Sequence, residues 1–183
     1  TKKNIVNLWK DNVNVDFGTP TEESTKMAID SLEAATNALM NGDIDVLVTA
    51  PINKHNIQSD DFQFAGHTEY IQAKTKAEDS LMFLVSEDIR VGVVTGHIPV
   101  TEVPEKISKE KILSKLTLMN QSLKKDFWIH KPKIAVLGLN PHAGDMGLIG
   151  KEEQEIIIPA VTEANAQGIF AFGPYAADGF FAA

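Results

Sequence analysis

The sequence predicts an α/β fold in which a sheet is sandwiched between helices. Short apolar runs rich in β-branched residues alternate along the chain with amphipathic runs of helical length. Several of the apolar runs are almost entirely apolar in the middle, which is typical of parallel strands buried on both faces. The 183 residues are 43% hydrophobic and 23% charged, an ordinary balance for a globular protein that buries roughly 70% of its unfolded surface.

Five apolar runs have the pattern of strands. The predicted strands cover 45–49, 81–85, 90–94, 133–139 and, with a weaker pattern, 169–172. No internal repeat, low-complexity tract or linker interrupts their alternation with the helical patterns. We therefore expect them to belong to one α/β architecture.

The first predicted helix has a start and a stop signal. Thr19 is expected to be its N-cap, with Pro20 at the first helical position and Glu22 completing a capping box. Gly42 is expected to end it. The apolar side chains that recur at helical spacing between these signals are Ala28, Leu32, Ala35 and Leu39.

Two further helices are predicted in the second half of the chain. One covers about 108–125, and the other covers about 151–166 and is ended by Gly168. Pro159 lies inside the latter and predicts a kink or a break there. The buried stripe of the former is expected to contain Ile112, Leu116, Met119 and Leu123.

Composition excludes several classes of protein. Cysteine is absent, which excludes a disulfide scaffold, a thiolate metal site and a cysteine nucleophile. Seventeen Lys and Arg against 25 Asp and Glu give a net charge of −8. So acidic a protein is expected to bind nucleic acid poorly. No apolar run approaches the roughly 20 residues that span a bilayer. We therefore expect a cytoplasmic protein that binds neither nucleic acid nor a membrane.

Three histidines follow predicted strands or open a predicted helix. His97 comes after the strand at 90–94 and His142 after the strand at 133–139, at the carboxyl ends where open α/β sheets bind ligands. Imidazoles in such positions can bind a divalent metal ion, or they can be loop histidines that bond only to backbone. His67 lies at the expected start of a short helix, where backbone N–H groups suit an anion.

Other polar residues follow predicted strands. Asp178 can act as a general base, orient a metal ligand or form a turn, and Lys54 either meets an anion or is solvated. The glycine-rich segment 142–153 matches neither a P-loop nor a dinucleotide fingerprint. Glu152 and Glu153 then complement the dipole of the following helix, which argues against a phosphate there. Residue types alone indicate a metal-assisted α/β enzyme acting on a small anion.

Three ordered motifs closely resemble those of one enzyme family. They are Gly-His-Thr-Glu at 66–69, Thr-Gly-His-Ile-Pro at 95–99 and Leu-Asn-Pro-His-Ala-Gly at 139–144. Supporting stretches lie at 50–54, 150–153 and 173–175, so that the likeness extends over nearly the whole chain. The sequence resembles the 4-hydroxythreonine-4-phosphate dehydrogenase family of pyridoxal phosphate biosynthesis.

The resemblance implies a three-layer α/β/α fold like that of isocitrate and isopropylmalate dehydrogenases, in two lobes, with the active site at a homodimer interface. It implies oxidation of a phosphorylated hydroxy-amino acid by NAD or NADP, followed by decarboxylation, with a divalent metal that is zinc, magnesium or cobalt, zinc being the first choice. By motif match, His97 and His142 are expected to bind the metal and His67 and Thr68 the substrate. Asp178 matches the family's active-site aspartate.

The chain also departs from the family pattern. Family members are longer at both ends, and their third metal histidine and basic phosphate-binding residues lie beyond the last residue here. Ala176 and Gly179 stand where proline and threonine are expected, and Asp145-Met146 where Glu-Gly is usual. We therefore expect 1–183 to be the central part of a two-lobed enzyme, incomplete at both ends and inactive alone, with a lobe boundary that the sequence does not define. The alternatives are a relative that oxidises another phosphorylated hydroxy acid or a dihydrodiol carboxylate, and a fragment that only binds metal.

Overall fold

The computed structural model describes residues 3–10, 12–13, 16–53, 56–57 and 62–182. The chain divides into two compact units, residues 1–78 and residues 79–183. Lys54, one of the sequence-predicted anion contacts, lies outside the described residues. Within the described ranges no helix is long and apolar enough to cross a bilayer.

The described residues of the first unit include two helices, α1 (Glu22–Asn41) and α2 (His67–Thr75). Leu32 of α1 and Tyr70 of α2 are buried with Ile57 and Phe62 in a small core. The rings of Phe62 and Tyr70 stack with their centroids 5.3 Å apart, a favourable aromatic arrangement. This core determines which face of α2 is buried, and thereby the position of His67 at the start of the helix.

The expected N-cap of α1 is wrong by two residues. The cap is Thr21, whose hydroxyl accepts a 3.1 Å hydrogen bond from the Ser24 N–H, while the Ser24 hydroxyl accepts one from the Thr21 N–H at 3.0 Å. This reciprocal pair satisfies two backbone donors. The N–H of Thr19 instead donates to the Asp16 carbonyl at 3.2 Å. Gly42, with a φ of 78°, ends the helix as expected.

The strand predicted at 45–49 is also wrong. No strand pairs with this segment in the described part of the chain. Val46 and Val48 are 73% and 90% exposed, while Leu47 packs against the small core. A β-branched, apolar run becomes a strand only when a neighbouring edge accepts its backbone hydrogen bonds.

The second unit contains two pairs of strands. β1 (Phe83–Val85) and β2 (Arg90–Gly92) form an antiparallel hairpin, and β3 (Lys133–Leu137) and β4 (Phe170–Tyr175) form a parallel pair. The four predicted strands in this unit are therefore confirmed, with changed ends. The expectation of parallel strands is wrong for β1 and β2, because the connection between them is too short for a parallel crossover.

Helices cover the parallel pair. The second unit has α3 (Val103–Lys106), α4 (Lys109–Lys125), α5 (Ile158–Ala166) and α6 (Ala177–Phe180). Ser108 caps α4 by accepting a hydrogen bond from the Lys111 N–H. A π-helical turn, Glu153–Ile157, leads into α5 without a gap, so that the irregularity expected at Pro159 is a change of helix type just before it and not a break. The core includes Ile112, Leu116, Leu123, Ile134, Val161 and Ala171, with Met119 partly buried beside it.

The parallel pairing of β3 with β4 positions the candidate site. Ile134 lies opposite Ala171, and a bulge shifts the register before Leu137 meets Tyr175. At that bulge Gly173 has a φ of 123°, and a Cβ on it would lie 2.3 Å from the Val136 carbonyl oxygen, so that only glycine fits. Because the strands are parallel, the segments that leave their carboxyl ends emerge at the same edge.

Candidate functional site

Two of the predicted site residues meet at this edge. His142 follows β3, and Asp178 follows β4 in the first turn of α6. The imidazole Nδ1 of His142 lies 2.7 Å from Asp178 Oδ2. The backbone N–H of His142 donates to Asp178 Oδ1 at 3.3 Å. A single carboxylate thus holds both the backbone and the ring of His142, although the two residues are 36 apart in the chain.

The pairing affects the charge of Asp178 and the orientation of the His142 ring. Hydrogen bonding by its own backbone N–H, followed by the N–H and the imidazole of His142, lowers the pKa of Asp178 below its ordinary value. An ionised carboxylate only accepts hydrogen bonds, so Nδ1 of His142 carries the proton. The lone pair is then on Nε2, in a side chain that is 70% exposed. This is the usual arrangement of a metal-binding histidine oriented by a carboxylate.

His142 opens a left-handed turn. The five consecutive residues 142–146 have φ angles of 54°, 52°, 78°, 42° and 54°. Only the middle one is glycine. A left-handed conformation costs roughly 1–2 kcal/mol per L-residue relative to the right-handed one. Such a segment persists only when the surrounding structure holds it in place.

A buried carboxylate holds this turn. Glu153 is only 2% exposed, and its Oε1 accepts a 2.7 Å hydrogen bond from the Asn140 N–H. Its Oε2 accepts a 2.9 Å bond from the Asn140 side-chain amide. The same amide also donates to Glu152 Oε2 at 2.8 Å. Burial raises the pKa of Glu153, but the bonds from the side chain and backbone of Asn140 outweigh it, and the net shift is downward.

Asn140 and Glu153 are the site residues that sequence reasoning missed. The sequence indicates for Glu153 a role at the helix dipole and a place in a stretch that supports the family resemblance, and for Asn140 a place in a motif. The available signal is a charged residue at the end of the glycine-rich segment 142–153. Its burial depends on a contact between residues 13 apart, which no local pattern reveals.

His97 lies after β2. It has a φ of 55° and is exposed, and it follows its strand as predicted. Among the described residues there is no group of three His, Asp or Glu that could hold a metal ion. His97 and His142 both belong to the second unit, and the ring of His142 is oriented by the Asp178 carboxylate.

His67 and Thr68 lie in the first unit, whereas His97, His142 and Asp178 belong to the second. Both open α2, as expected, and both are partly buried. Gly66 precedes them in an extended conformation. Glu69 shares their helical turn and places a carboxylate near its positive end.

Comparison with known proteins decides the family. The family model for the pyridoxal phosphate biosynthetic protein PdxA matches residues 1–183. The chain belongs to the PdxA family. The 4-hydroxythreonine-4-phosphate dehydrogenase of Bacteroides thetaiotaomicron is 54% identical over 177 residues, covering 96% of this chain and 49% of the relative. The enzyme of that name from Sulfurihydrogenibium sp. is 42% identical over 177 residues, covering 97% of this chain and 54% of the relative.

A solved structure agrees with the PdxA assignment. The crystal structure of 4-hydroxythreonine-4-phosphate dehydrogenase from Klebsiella pneumoniae superposes with a TM-score of 0.81 at 31% identity, covering 87% of this chain and 48% of that one. Membership of the PdxA family confirms the resemblance, and the superposition confirms the α/β fold class. The chain spans about half the length of the curated relatives it matches.

Proposed function

We propose that these residues are the central part of an oxidoreductase that acts on 4-phosphooxy-L-threonine in pyridoxal phosphate biosynthesis. The enzyme would depend on NAD or NADP and on a divalent metal. The observation that carries the proposal is the His142–Asp178 pair at the carboxyl ends of β3 and β4. It prepares an exposed imidazole nitrogen for a metal at the edge where α/β sheets bind ligands. The names of the PdxA relatives supply the reaction and the substrate.

The proposed reaction has two steps. The secondary alcohol of the substrate loses a hydride to the oxidised nicotinamide and a proton from its oxygen, which gives a 2-amino-3-oxo acid phosphate. That β-keto acid then loses carbon dioxide, and protonation of the resulting carbon yields 3-amino-2-oxopropyl phosphate. When bound, nicotinamide serves as hydride acceptor and a divalent ion lowers the pKa of the substrate hydroxyl.

The chain's own residues contribute orientation and charge. His142 would offer Nε2 and His97 its imidazole to the metal, which we propose to be zinc, with magnesium or cobalt as alternatives. Asp178 holds the ring of His142 through Nδ1, and its depressed pKa keeps it ionised, so that it stays a hydrogen-bond acceptor for that ring. His67 and Thr68 would bind the substrate at the start of α2.

The test is nicotinamide reduction by the whole enzyme of which these residues are proposed to be the central part, with 4-phosphooxy-L-threonine, with added metal and after chelation. NADH or NADPH formation that requires metal is the expected result. His97→Ala and His142→Ala should abolish it. His130→Ala is the matched control, because His130 is exposed and follows neither strand end.

Three results would overturn the proposal. They are turnover that survives chelation, turnover that survives both histidine substitutions, and a preference for phosphorylated sugar acids or a dihydrodiol carboxylate. The last of these would assign the chain to a relative with another substrate.

A second candidate is metal binding without turnover. It is favoured by the His142–Asp178 pair, which orients an imidazole for a metal without any contribution from a substrate. It predicts that zinc titrates into the protein, that His97→Ala and His142→Ala prevent this, and that no nicotinamide is reduced under any condition.

A further inference from the structure

Glu153 is a buried carboxylate that the proposed reaction does not use. We propose that it is a positioning residue, which holds the left-handed turn 142–146 and thereby the imidazole of His142. The inference relies on the proposed function only for the use to which His142 is put. The position of the ring itself is a property of this chain.

Glu153 contacts the chain on both sides of His142. Asn140 lies two residues before His142 and donates two hydrogen bonds, one to each oxygen of the carboxylate. Gly144 lies two residues after it, and a Cβ on Gly144 would be 2.5 Å from Glu153 Oε2. The backbone that carries His142 is therefore bracketed by contacts to one side chain.

The turn needs such a support. Four of its residues are not glycine and lie in the left-handed region, where an L-residue is strained by its Cβ. The hydrogen bond from the Ile149 N–H to the Gly144 carbonyl, 3.0 Å long, closes the far end of the segment. Glu153 supports the near end, next to His142, where charge-assisted bonds are stronger than neutral ones.

The charge of Glu153 matters as well as its shape. Both of its oxygens accept bonds from Asn140. A glutamine in its place would present an NH₂ group to one of two donors, so that one bond would be replaced by a donor–donor contact. Glu152 lacks this arrangement, because its carboxylate accepts from the Asn140 side chain and from the Lys151 N–H, not from the backbone of Asn140.

The test compares Glu153→Gln with Glu152→Gln as the matched control, using imidazole nitrogen NMR of the metal-free protein. In the parent chain, His142 should be largely the Nδ1-protonated tautomer, and its signal is identified by its loss in His142→Ala. Glu153→Gln should move that signal towards the tautomer mixture of a free histidine. The signals of His67 and His130 should stay in place, which a general loss of structure would not allow.

A metal titration extends the comparison. Glu153→Gln should weaken zinc binding about 10-fold or more, the usual effect of removing an outer-shell partner, and Glu152→Gln should not. An unmoved His142 signal in Glu153→Gln, or an equal movement in Glu152→Gln, would overturn the inference.

Two further results have defined meanings. If Glu153→Gln does not fold, Asn140→Ala is used instead, since it leaves the carboxylate and removes the amide that bonds it. A moved His142 signal then supports the inference, and an unmoved one overturns it. If the parent chain binds no metal, the proposed function fails, while the NMR comparison still decides the role of Glu153.

Discussion

At the scale of single residues, the carboxylate of Asp178 makes two contacts with His142. It accepts a bond from the imidazole and another from the backbone N–H of His142. The sequence allowed three roles for Asp178, and the structure favours orientation of His142 because both oxygens are already engaged with it. That pairing was not predictable from sequence, since it joins residues that follow different strands.

Asp178→Asn tests this role. The amide keeps the size of the side chain but can donate to Nδ1, which would place the imidazole proton on Nε2 and remove the lone pair from that nitrogen. We expect zinc affinity to fall about 10-fold to 100-fold and the His142 signal in imidazole NMR to change tautomer. Asp88→Asn, at an exposed carboxylate of the β1–β2 connection, is the control. Equal zinc affinities in the two variants would contradict the role.

At the scale of elements, the sequence signals that begin or end a helix were reliable where only one residue could occupy the position. Gly42 and Ser108 occupy the cap positions their neighbours require, and Pro159 lies where the helix changes from a π-turn to α5. The prediction was wrong where two residues were equally suitable for one position. Thr19 and Thr21 each have a partner three residues on, and only the observed hydrogen bonds select Thr21. Strand pairing was likewise undetermined, since apolar runs do not encode their neighbours.

A pair of variants separates the two caps. Thr21→Ala removes the hydroxyl that accepts the Ser24 N–H and should cost about 1 kcal/mol of unfolding free energy. Thr19→Ala should cost far less, because no side-chain bond at that position supports the helix end. Chemical denaturation followed by circular dichroism measures both. A larger loss for Thr19→Ala would restore the cap first expected from the sequence.

At the scale of the whole molecule, large apolar side chains are exposed in both units. Among them are Val48 of the first unit at 90% exposure, and Trp128 and Leu148 of the second unit at 81% and 84%. Sequence patterns predicted which residues are apolar but not which of them lack a covering partner.

These exposed side chains lead to a prediction about assembly. A standard protein interface removes about 800 Å² from each partner, its buried centre is rich in apolar side chains, and the family resemblance implies a homodimer. We expect sedimentation equilibrium to give twice the 20.0 kDa chain mass, and binding of an apolar-surface dye to fall as the protein concentration rises and the dimer forms. A mass of 20.0 kDa at every concentration, with dye binding unchanged, would mean that a second copy does not cover these side chains. The apolar surface would then require a partner of a different kind.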